Sequence, residues 1–88
     1  MKLIITIIRD EFSDKVTQAL LAEGIRVTRI ASTGGFLRHG STTLMIGMED
    51  DKIDHAIQLI KNNISISVDP GLTRATLFVL NVDHFTQI

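Results

Sequence analysis

The sequence predicts an α+β domain with the element order β-α-β-β-α-β. Three observations carry that expectation. Four short apolar runs are rich in β-branched residues, two longer segments space their apolar residues helically, and glycine or proline stands at several of the joints. At 88 residues the chain has room for one domain, expected to span residues 1–88. Hydrophobic residues make up 44% of it, enough for a packed core.

Leu3 to Ile8 is almost continuously apolar, as suits a central strand covered on both faces. Asp10 is the expected N-cap of the first helix, in which Phe12, Val16, Ala19, Leu20 and Glu23 share one face. Gly24 stands where a C′ glycine ends such a helix. Ile25 to Ala31 reads as the second strand, with Ile25 and Val27 opposed to Arg26 and Thr28. Thr42 to Met48 reads as the third. Gly47 interrupts it, the mark of a bulge or of a close approach by another group. Asp50 is the expected cap of the second helix, whose acidic start complements the helix dipole. Its apolar stripe is Ile53, Ala56, Ile57, Ile60 and Ile64. Pro70-Gly71 marks a turn, Arg74 to Val82 reads as the last strand, and a short tail ends at Ile88.

This order is that of a split βαβ, ferredoxin-like plait. Two helices cover one face of a four-stranded sheet, yet the strands are apolar on both. Leu3, Ile5 and Ile7 oppose Ile4 and Ile8, while Phe78, Leu80 and Val82 oppose Leu77 and Val79. A second subunit is therefore expected over the helix-free face.

Composition excludes several classes of function. The formal net charge is −1, which gives no general grip on a nucleic-acid polymer or an anionic membrane. The opening apolar run is too short to span a bilayer and lacks a cleavage-site pattern, so a cytoplasmic location is expected. There is no cysteine, and His39, His55 and His84 are scattered, so no metal site or cofactor is expected. Glu49, Asp50, Asp51 and Asp54 lack a calcium-loop pattern and suit a helix start. No nucleophile–base pair stands out, which points away from an enzyme.

The chemistry concentrates between the second and third strands. Residues 33–43 hold Gly34, Gly35 and Gly40, the hydroxyls of Thr33, Ser41, Thr42 and Thr43, the aromatic Phe36, and Arg38. Glycines let backbone N–H groups turn toward an anion, and arginine adds charge-assisted bonds. Phe36 and Leu37 offer a wall for a flat base. Neither a Walker A nor a dinucleotide fingerprint is present. Composition alone does not choose between a ligand loop and a glycine hairpin whose Phe36 packs back on the domain.

The segment from Arg26 to Thr43, with Thr33-Gly34-Gly35-Phe36-Leu37-Arg38 and then Gly40-Ser41-Thr42-Thr43, resembles the core motif of the PII-like cyclic di-AMP receptors. The opening Lys2-Leu3-Ile4-Ile5, Gly47, the Asp50–Asp54 segment and the end from Ala75 to Ile88 are similar as well. The resemblance implies a ferredoxin-like homotrimer that binds cyclic di-AMP between subunits, without catalysis, and signals to a downstream protein whose identity the residues do not name. Carried over by position, it implies that Arg26 and Thr28 contact the ligand from the second strand. Gly35, Phe36 and Leu37 would line the base and phosphate, and Gly47 would admit the nucleotide close to the backbone. Phe78 and Gln87 would close the cleft.

Two departures stand out. Ser41 occupies a position where the family usually has asparagine, and only about residues 62–73 join the second helix to the last strand, where the family carries a long loop. Three classes of function are therefore weighed. The first is a nucleotide sensor, the second a PII-like interaction module that takes another adenine nucleotide or none, and the third a small plait enzyme or metal-binding trimer.

Overall fold

The structure, a computed structural model, describes residues 1–32, 40–64 and 74–88. Its described elements follow the expected order: β1 (Lys2–Arg9), α1 (Asp10–Ala22), β2 (Val27–Ser32), β3 (Ser41–Met48), α2 (Ile53–Asn62) and β4 (Ala75–Asn81). A single 3₁₀ turn, Asp50–Lys52, leads into α2. The strands form one antiparallel sheet in the order β2-β3-β1-β4, the ferredoxin-like arrangement.

Strand alternation divides the sheet into two faces. Ile4 and Ile8 of β1 and Leu44 and Ile46 of β3 are fully buried beneath the helices. Phe12, Val16 and Leu20 of α1 and Ala56 and Ile60 of α2 complete that core. The other face stays open. Ile7 is 42%, Phe78 52% and Leu80 45% exposed, although each is a large apolar side chain.

Several expected boundaries move for local reasons. Arg9, not Asp10, is the N-cap of α1, and no side chain caps the helix. Asp10 is the first helical residue; its N–H donates to the carbonyl of Gly40 at 3.0 Å and its carboxylate accepts from the hydroxyl of Thr42 at 2.5 Å. The start of α1 is thereby tied to the start of β3. Gly24 does end the helix, at φ 76°, with its own N–H on Leu21 and that of Ile25 on Leu20. This is a Schellman motif, and it spends Ile25 as the buried residue that packs beneath the turn. β2 accordingly begins at Val27.

Asp50 is not the cap of α2. It opens the 3₁₀ turn, and its carboxylate accepts from the Met1 amine at 2.9 Å. That hydrogen bond is the main cause holding the Asp50 pKa below its ordinary value. A depressed carboxylate contributes stability above its unfolded pKa and loses it as the pH falls through the folded one. At this solvent-exposed site the contribution is small. Gly47 sits in a regular ladder opposite Leu3, and the one irregularity among the described strand pairs falls in β2, between Arg29 and Ala31. α2 ends at Asn62, but Ile64 still packs against the core.

Thr6, Ser13 and Thr42 are buried polar residues among the described ones. Thr6 is fully buried between Leu44 and Leu77 in the sheet, and its hydroxyl has no hydrogen-bond partner among the described residues. An unpaired buried hydroxyl costs about 1–3 kcal/mol, whereas an apolar group of the same shape removes that cost. Thr6→Val is expected to raise the unfolding free energy by about 1 kcal/mol, read as a higher denaturant midpoint at unchanged m value. A lower midpoint would show that the hydroxyl is satisfied.

Candidate functional site

Register decides what can meet on the helix-free face. Val27 pairs with the buried Ile46, so Thr28, opposite Met45, points away from the core. Leu3 pairs with Gly47 on one side and Leu80 on the other. These residues gather where β1 begins, β3 ends and β2 begins. The chain leaving β4 stays beside them because the Val82 N–H donates to the Met1 carbonyl at 3.0 Å.

A cleft of about 530 Å³ opens there, within the range usual for small-molecule sites. Leu3, Met45 and Gly47 belong to its central strands, Arg26 and Thr28 to its β2 side, and Val82, Phe85 and Gln87 to the segment after β4. A Cβ on Gly47 would come within 3.3 Å of the Met1 Cε, so the glycine keeps the surface low where the strand meets the cleft.

The cleft favours an anion. Arg26 is exposed beside it, and no carboxylate is among its described lining residues. Lys2 also borders the cleft, but strand alternation sends its side chain to the opposite face, where the ammonium donates to the side-chain carbonyl of Asn81. Among the described residues no group of histidine and carboxylate side chains is arranged to hold a metal ion. No described helix is long and apolar enough to cross a membrane.

Of the residues singled out from the sequence, Arg26, Thr28, Gly47 and Gln87 meet in this cleft. Phe78 lies on the same sheet face beside Ile5, outside the cleft lining. Ser41 pairs with Arg9 at the far end of the sheet. The six positions from Ser41 to Gly47 correspond to about 20 Å along β3. Gly35, Phe36 and Leu37 lie outside the described residues; the residues flanking that stretch, Ser32 and Gly40, sit at the Ser41 end.

Sequence reasoning passed over Leu3, Met45, Val82 and Phe85 as site residues. Leu3 and Met45 look like core or interface filler until register sets them beside Gly47 and Thr28. Phe85 carried a signal that was available, since it stands two residues before Gln87 in the same tail.

Fold and cleft together define a ferredoxin-like domain with a concavity of small-ligand size. A family model described as the cyclic-di-AMP receptor matches residues 1–70, and the chain belongs to that family. The family match stops short of β4 and the tail. A structural match takes them in: the crystal structure of a functionally unknown protein from Pediococcus pentosaceus ATCC 25745 is similar to 99% of this chain and 96% of its own, at 30% identity and a TM-score of 0.77.

Proposed function

We propose that the protein is a non-enzymatic, cytoplasmic signalling protein that binds cyclic di-AMP at the subunit interfaces of a homotrimer. Membership of the cyclic-di-AMP receptor family supports the ligand. One geometric observation supports the interface: the candidate contacts fall at two ends of one sheet. Arg26, Thr28, Gly47 and Gln87 share a cleft, while Ser41 lies about 20 Å away along β3. The cleft of one copy does not reach Ser41, so a ligand that touches both sets takes them from two copies. In the homotrimer each copy lies against the apolar face of the next, so that the cleft of one meets the Ser41 end of its neighbour's sheet. Phe78, on that apolar face, then borders the junction.

In this arrangement Arg26 and the hydroxyl of Thr28 hold a phosphodiester, and Gln87 offers an amide that can donate to and accept from an adenine edge. Binding moves no covalent bond. Its output is a change of surface, read by a protein partner that a pull-down with and without nucleotide would capture.

Titration calorimetry with cyclic di-AMP, cyclic di-GMP and ATP tests the assignment. Cyclic di-AMP is expected to give saturable heat with one site per chain. A folded protein silent to all three would instead be an interaction module. Ser41→Asn is expected to tighten cyclic di-AMP binding roughly twofold to tenfold, because an amide adds one hydrogen-bonding group worth about 0.5–1.5 kcal/mol. Weaker binding in that variant would show a cleft tuned to another ligand.

A further inference from the structure

We infer that Phe85 is a base-stacking residue of the cleft. The inference rests on reading the cleft as a nucleotide site.

The cleft's composition is uneven. Leu3, Met45 and Gly47 give it a nonpolar floor, its β2 side carries the cation of Arg26 and the hydroxyl of Thr28, and its opposite side carries the ring of Phe85 and the amide of Gln87. A nucleotide has the same three parts: an anionic phosphate, a flat ring, and a base edge that both donates and accepts. Phe85 is the aromatic among the described lining residues. Phe12 is committed to the core, and Phe78 faces the sheet surface outside the cleft.

Phe85 also needs a partner. It is 61% exposed in the single chain. The tail that carries it is nevertheless anchored at its start, where Val82 bonds to Met1. An exposed ring on an anchored segment at a cleft offers a stacking platform at little cost in ordering. The spacing of Phe85 and Gln87 sets a face and an edge on one short segment. Glutamine is well suited to adenine, whose N6 donates and whose N7 accepts.

The chain contains no tryptophan and no tyrosine, so Phe85→Trp creates a fluorophore without competitors. The experiment titrates that variant with cyclic di-AMP, 5′-AMP and ribose 5-phosphate, and measures the affinities of the native protein and Phe85→Leu by calorimetry. Purine ligands are expected to quench the tryptophan and ribose 5-phosphate to leave it unchanged. Phe85→Leu is expected to weaken purine binding about tenfold at an unchanged melting temperature, since the ring is exposed. Heat from cyclic di-AMP with no quench, and equal affinity in Phe85→Leu, would overturn the stacking role and leave the receptor reading intact. Quench by 5′-AMP with no response to cyclic di-AMP would uphold the stacking role and overturn the cyclic di-AMP assignment. Silence toward every ligand would overturn both.

Discussion

Arg26→Ala is expected to lower the affinity for cyclic di-AMP roughly ten- to a hundredfold while leaving the fold intact. A hydrogen bond to a charged group contributes about 1.5–3 kcal/mol, and each 1.4 kcal/mol is a factor of about ten. Arg26 supplies that charge where the described cleft lining holds no carboxylate to compete for it. The other described cation bordering the cleft, Lys2, is turned to the other face and engaged with Asn81. Arg26 precedes β2 and is exposed, so its truncation opens no cavity, and the unfolding free energy should change by less than about 0.5 kcal/mol. Calorimetry and a thermal melt on the same sample check both halves. Unchanged affinity would remove this cleft from the binding site.

Phe78→Asp is expected to convert the assembly into folded monomers. Phe78 stands on the helix-free face, paired with Ile5, and is 52% exposed in the single chain. Covering it with a second copy buries an aromatic ring, worth roughly 1.5–3 kcal/mol for full burial. An aspartate there reverses the sign. Burying an unpaired carboxylate costs several kcal/mol, and the penalty recurs at every interface. In the isolated chain the same carboxylate reaches water, so the core formed by Ile4, Leu44 and Ile46 is untouched. Sedimentation equilibrium at micromolar concentration should give a trimer for the native protein and a monomer for the variant, with matching circular dichroism. A native monomer, or a variant that still assembles, would refute the covered-face interpretation.

These expectations draw unequally on sequence and structure. The element order was legible because each signal is local. β-branched runs mark strands, and Gly24, just past the C-cap Glu23, marks a helix end. The apolar character of both strand faces was equally plain, since alternation needs only neighbouring residues. Helix starts were misread. Asp10 and Asp50 are good cap residues by type, but Asp10 serves Thr42 and Asp50 serves the Met1 amine, partners far away in the chain.

The site divides in the same way. Residue types and the family motif marked Arg26, Thr28, Gly47 and Gln87, and all four meet at one cleft. Their separation from Ser41 by about 20 Å was not legible, because it follows from register: β3 carries Ser41 opposite Arg9 and Gly47 opposite Leu3, at opposite ends of β1. Leu3 and Met45 joined the cleft lining for the same reason. The chain's own residue order was enough for the plait and its apolar open face, both of which depend on short-range patterning. Which side chains share a cleft rests on strand pairing and on the tail's bond to Met1. Those contacts join residues up to about eighty positions apart, beyond the reach of any local pattern.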